Sequence, residues 1–264
     1  MSSARPLIAR LLISLTLVTA AASSARAASF FDPAHRYRTL ATEHFSIHFH
    51  QGEDRLARRL AVIAEDVWRK LQTPLGAQPP PHTEIVLADQ TDLSNGFATP
   101  VPYNTIMVTA VWPAGSEFIG NTDDWLRLVF THEFTHIVHL DRSEGWARFV
   151  RGIFGRVPVA FPNLLLPQWQ IEGLATYQES LTGEGRLHAG DFRSVLDEAA
   201  RARRFEPLGR LNGGLTDWPG GLGAYAYGAG FHAYLAERYG DASLARLAGA
   251  TARRVPFTAS RVFE

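Results

Sequence analysis

The chain contains no cysteine in its 264 residues. Disulfides and thiolate metal sites are therefore excluded, and any metal must be held by His, Asp or Glu. Charge of one sign is lacking too, since 26 Lys+Arg balance 26 Asp+Glu. No basic field points to nucleic acid, and no acidic run marks a solvating tail. Beyond the N-terminus no apolar stretch is long enough to span a bilayer. Internal repeats are absent. The length suffices for one large domain or two small ones around a sizeable core.

The N-terminus reads as a secretory signal peptide over residues 1–27. Arg5 and Arg10 precede the apolar run Leu11–Val18, and Ala25-Arg26-Ala27 fits a small-residue cleavage site. The mature chain is expected to begin near Ala28 and to work in the periplasm or outside the cell, with no membrane span after cleavage. Lacking cysteine, it has no bacterial lipoprotein anchor, and the same absence suits an oxidising compartment.

Periodicity then gives the order of elements. Glu43–His50 alternates as a strand with Phe45, Ile47 and Phe49 on one face and His44, His48 and His50 on the other. No neighbour in sequence completes a ligand set for these histidines, so they read as the polar side of a half-exposed strand. Glu53–Leu71 carries Leu56, Leu60, Ile63, Val67 and Leu71 at helical spacing. Glu84–Asp89 and Thr105–Ala110 are further strands, joined by a loop with Asn95-Gly96. Thr105–Ala110 is the candidate edge that would pair with an extended peptide, its plainer alternative being an internal strand. Asp123 or Thr122 would cap a helix from Trp125 to Leu140. Residues 145–167 mix aromatics, aliphatics and arginines with Gly and Pro, and read as a packed loop with some flap character. Helices follow over Gln168–Glu179, Asp191–Arg203, Ala224–Tyr239 and Asp241–Arg254. The last residues, Pro256–Glu264, look like the start of a further element. The order implies an α+β fold, with an upper part over 40–141 and a helical part over 142–264.

Within the Trp125–Leu140 helix stands His132-Glu133-Phe134-Thr135-His136. Residues four apart share a helix face, so His132 and His136 can direct two imidazoles at one cation. Glu133 lies beside them, placed to reach a water rather than to ligate. This is the layout of a zinc hydrolase, in which the metal acidifies the water and the carboxylate takes its proton. A catalytic zinc needs three protein ligands and an open position. A metzincin would have Gly at 139 and His at 142, where this chain has His139 and Arg142. His139 lies off the histidine face and is expected to pack or to support the ligands rather than bind. Glu172, 36 positions beyond His136 on the next helix, is the candidate third ligand.

With Trp169-Gln170-Ile171-Glu172-Gly173-Leu174-Ala175 following it, the motif resembles the peptidase MA-like gluzincins, relatives of thermolysin and aminopeptidase N. The resemblance covers roughly residues 40–260 in order of elements. It implies a zincin-like fold, one Zn2+ on His132, His136 and Glu172, and a peptide or protein substrate. Tyr225-Ala226-Tyr227-Gly228-Ala229 is similar to a stretch whose tyrosine stabilises the tetrahedral intermediate in the aminopeptidase branch. That makes Tyr225 the matching position, with Tyr227 as the alternative. The Gly-Ala-Met-Glu-Asn exopeptidase motif is missing, and Thr176 stands where thermolysin-like enzymes place an orienting aspartate. Asp141 and Glu179 are the candidates to orient a ligand histidine, the alternative for each being a solvated surface charge. The resemblance further implies a β-propeller after this domain in a longer protein of the bacterial secreted type. The alternative function is a catalytically degenerate, zinc-containing domain that binds envelope peptides without cutting them.

Overall fold

Alternation in the strands sets the sheet. In the computed structural model, which describes residues 34–264 except 73, 114–121, 213, 215–217, 256–257, 259–261 and 263–264, five strands form one sheet. They are β1 (Tyr37–Ala41), β2 (Phe45–His50), β3 (Thr83–Ala88), β4 (Gly96–Thr99) and β5 (Thr105–Thr109). The signal-peptide segment and most of 256–264 lie outside the described residues. The strand order is β1-β2-β3-β5-β4, with β2–β3 and β3–β5 parallel and the two outer pairs antiparallel.

Phe45, Ile47, Ile85, Ile106 and Val108 are fully buried on one side of this sheet. Helix α1 (Asp54–Leu71), the crossover between β2 and β3, adds Leu60, Ile63 and Val67 to the same core. Helix α2 (Trp125–Leu140) adds Phe130 and Phe134, whose stacked rings take Phe45 edge-on at 5.6 and 5.3 Å. Every residue of α2 except Arg127 is buried. Its threonines, valines and histidines are middling helix formers, each costing about 0.5 kcal/mol relative to alanine. Burial of each large apolar side chain returns about 1.5–3 kcal/mol, so packing rather than propensity holds this helix.

The second half is helical: α3 (Trp146–Phe154), α4 (Gln168–Glu179), α5 (Gly190–Arg201), α6 (Gly223–Tyr239) and α7 (Ala242–Thr251). Trp169, Phe192, Val195, Ala224 and Tyr227 make a smaller core between α4, α5 and α6. The α+β class expected from the sequence is the observed one. Residues Tyr37–Glu264 form one compact unit. No helix among the described residues is long and apolar enough to cross a membrane.

Three local expectations are corrected. Thr105–Thr109 is internal, because the short strand β4 pairs outside it and takes the edge. Residues 145–167 are not a loop: α3 occupies 146–154, and 3-10 turns occupy 158–160 and 162–165. The cap of α2 is Asp124, whose carboxylate accepts from the Arg127 amide at 3.1 Å, while the Thr122 hydroxyl donates to Glu184.

Candidate metal centre

The histidines of α2 meet the carboxylate of α4 in a cleft roofed by β4. His132 Nε2 and His136 Nε2 lie 3.0 Å apart, and Glu172 Oε2 is 3.2 Å from the first and 3.5 Å from the second. A tetrahedral ion with ligand bonds of about 2.0–2.1 Å has ligand–ligand edges of about 3.3 Å, so these separations suit zinc. Both imidazoles are buried, and Glu172 is half-buried at 22% side-chain exposure.

Electrostatics favour a cation at this point. Burial and the Arg186 guanidinium push His132 down, but hydrogen bonds to Glu172 and Glu179 prevail and raise it to about 9. Burial would raise Glu172, yet the imidazoles of His136 and His132 hold it well below the usual carboxylate range. A positive charge is thus favoured among these atoms, and a metal would take the place of the proton. Two imidazole nitrogens and one carboxylate oxygen form the mixed N/O donor set that zinc accepts.

Glu179 lies behind His132. Its Oε2 is 2.7 Å from His132 Nδ1, and it also takes the Arg186 side chain at 2.8 Å through each oxygen. Arg186 Nη2 is likewise 2.7 Å from His132 Nδ1. One ring nitrogen cannot donate to Glu179 and accept from Arg186 together. The carboxylate contact prevails, because Nδ1 must carry its proton when Nε2 offers a lone pair to a metal. Burial works against the charge on Glu179, but Arg186 and His132 still bring it down to about 2.

Glu133 is buried at 6% exposure, and burial raises its pKa, with the imidazoles opposing. Gly96 of β4 sits directly on it: a Cβ there would fall 2.5 Å from Glu133 Oε1. Tyr225 lines the same cleft, its ring 6.4 Å from that of His132 and 4.5 Å from the Arg186 guanidinium carbon. Burial and then Glu172 raise its phenol to about 12, so it stays a hydrogen-bond donor at neutral pH.

Backbone contact explains how Tyr225 and Glu172 come to line one cleft. Gly173 of α4 and Gly228 of α6 cross so closely that a Cβ on Gly173 would lie 2.3 Å from Gly228 Cα. Each of the two cleft residues stands within a turn of one of these glycines.

The sequence-derived residues His132, Glu133, His136, Glu172 and Tyr225 therefore line one cleft. Tyr227 does not join them; it packs in the second core against Phe205. Of the two candidates for orienting His132, Glu179 makes the contact, whereas Asp141 pairs with Arg151 and Arg156. Thr176 is buried and stays away from the histidines' hydrogen bonding; the carboxylate expected near it comes from Glu179, one turn further along α4. His139 is buried and takes no part in the ligand group; burial and nearby His232 lower it to about 3. Arg186 was missed by sequence reasoning, since a lone arginine between glycines carries no periodic or motif signal.

No protein-family model matches the chain. A curated protein of Treponema pallidum (strain Nichols), itself uncharacterised, is 29% identical over 214 residues, covering 79% of this chain and 18% of that protein. The chain thus spans less than a fifth of the length of that relative. Among solved structures, an M1 zinc metallopeptidase from Deinococcus radiodurans overlays with a TM-score of 0.44 and 20% identity, over 86% of this chain and 47% of the other. A mutant of the Deinococcus radiodurans enzyme bound to a Tyr-Ser-Ala substrate overlays at 0.40 and 19%, with the same coverage.

Proposed function

We propose that the chain is a zinc-dependent peptide hydrolase of gluzincin type, working in the periplasm or outside the cell on peptide or protein substrates. The observation that carries this reading is the convergence of His132, His136 and Glu172 at tetrahedral spacing, with Glu133 alongside and Glu179 behind. His132 Nε2, His136 Nε2 and the Glu172 carboxylate would hold the metal. A zinc ion held there supplies Lewis acidity, polarising a scissile carbonyl and acidifying a water.

The chain's own groups do the rest. Glu133, raised by burial, accepts the proton of the attacking water and returns it to the leaving amine. The Tyr225 hydroxyl, held protonated, donates to the oxygen that gains negative charge. Glu179 fixes the ring of His132 through Nδ1. The β4 backbone above Glu133 keeps the carboxylate from swinging away.

Replacing Glu133 by Gln keeps the shape and removes the base. The expected result is at least a ~100-fold loss of peptide turnover with zinc content unchanged. Full hydrolysis in that variant sinks the role. Zinc in both forms with cleavage in neither supports the alternative, a peptide-binding domain that has lost its chemistry.

A further inference from the structure

A second group of ligating side chains lies where β2, α1 and β3 meet. His50 ends β2, Glu53 stands immediately before α1, and Asp89 follows β3. β2 and β3 run parallel with His48 opposite Val86, which brings the ends of both strands to the same place. Gly52, at φ +102, makes the tight turn that lets His50 and Glu53 face one another. One donor atom from each residue falls within 4.8 Å of the others.

The group gathers two carboxylates around one imidazole. His50 Nδ1 is 2.9 Å from the Gln51 carbonyl, to which it must donate. Burial lowers His50, but the Gln51 carbonyl and Asp89 raise it above its ordinary value, its Nε2 lying 2.6 Å from Asp89 Oδ1 and 3.6 Å from Glu53 Oε1, so an ion would take the place of the Nε2 proton. Glu53 is 3% exposed, and among the described residues neither of its carboxylate oxygens has a hydrogen-bond partner. At the N-terminus of α1 it could have capped the helix, but its side chain makes no capping bond. A buried carboxylate without a hydrogen bond costs several kcal/mol unless it is neutralised or bound. Burial, then the neighbouring Asp89, pushes Glu53 up to about 7.

We propose that His50, Glu53 and Asp89 form a second divalent-cation site, of the first-row transition-metal class. The imidazole favours zinc, the two carboxylates also suit manganese, and calcium and magnesium prefer all-oxygen sites. The donation from Nδ1 to Gln51 fixes the tautomer that offers Nε2, as metal-binding histidines require. Asp89, at 40% side-chain exposure, leaves an entry from solvent. The ion would clip the β2–α1 turn to β3. The site is independent of the cleft chemistry, so either reading can fail without the other.

The test strips the full chain with chelator and titrates it with Zn2+ alone, and in parallel with Mn2+, reading bound equivalents and the shift in Tm. In the Glu172→Ala background, which disables the cleft ligand set, one equivalent of ion and a rise in Tm are expected. Both are lost on adding Glu53→Gln or, separately, the more exposed Asp89→Asn. X-ray absorption of the remaining ion should show one imidazole with oxygen neighbours. The site is overturned if the Glu172→Ala chain binds neither ion, which would leave a proton shared by Glu53 and Asp89 as the occupant. It is equally overturned if binding survives both Glu53→Gln and Asp89→Asn.

Discussion

Glu179 touches His132 on the side away from the ligand cluster and is itself held by Arg186. Its replacement by Gln keeps an acceptor but removes the charge, leaving a buried guanidinium uncompensated. Zinc affinity is expected to fall about 10–100-fold, the usual cost of losing such a support. Stability should drop by about 3–5 kcal/mol. Competition with a chromophoric chelator measures the first effect and thermal melting the second. Asp141→Asn is the control, because Asp141 meets Arg151 and Arg156 and no histidine of the cluster. It should leave zinc affinity unchanged; a loss there equal to that of Glu179→Gln removes the specific role of Glu179.

At the level of elements, the site depends on how closely α4 and α6 cross. A Cβ added at Gly228 would lie 2.1 Å from the Trp169 carbonyl oxygen and 2.7 Å from Gly173 Cα, and backbone atoms cannot rotate out of the way. Gly228→Ala is therefore expected to cost about 1–3 kcal/mol through overpacking. Tm should fall by about 2–12 °C, and Tyr225 should shift within the cleft it shares with Glu172, slowing turnover. Gly152→Ala on α3, where nothing lies within 4 Å of the added carbon, is expected to be neutral or slightly stabilising. Equal melting temperatures for the two variants would rule out the close crossing.

Across the whole molecule, two buried neutral histidines tie stability to pH. Burial lowers His139 on α2 to about 3 and His232 on α6 to about 4, from an ordinary 6.5. A histidine lowered by folding gives its full stability above the unfolded value and loses it as pH falls through 6.5 toward the folded value. At pH 5 each should have lost about 2 kcal/mol. Glu53 runs the other way, its raised value removing stability as pH climbs toward 7. The informative quantity is therefore the difference between parent and His232→Gln. The variant should lose about 2 kcal/mol less between pH 7 and pH 5 in parallel melts, and identical slopes would contradict the burial of a neutral ring.

Much of this was legible in the chain because it repeats. The helical spacing of Leu60, Ile63 and Val67, and the alternation of Phe45, Ile47 and Phe49, report which faces are buried. His132, Glu133 and His136 are fixed by one helical turn, so their geometry is local. What escaped was non-local or too short to show a period. Strand β4 has four residues, and only its pairing with β5 defines it. Arg186 gains meaning only through Glu179 and Tyr225 in the folded chain. Likewise the partners of His44 and His50, Glu65 and Asp89, lie 21 and 39 positions away.

That short strand also has a directional consequence. β4 closes the sheet, and pairing with β5 uses only one of its two sides. A chain laid along the side that pairs with no strand among the described residues would inherit a two-residue ruler, since neighbouring side chains of an extended strand point to opposite faces. Gly96 is at Glu133 while Phe97 is 58% exposed. A ligand docked this way would be inspected at every second residue, and sliding by one would present the wrong set of side chains to the cleft.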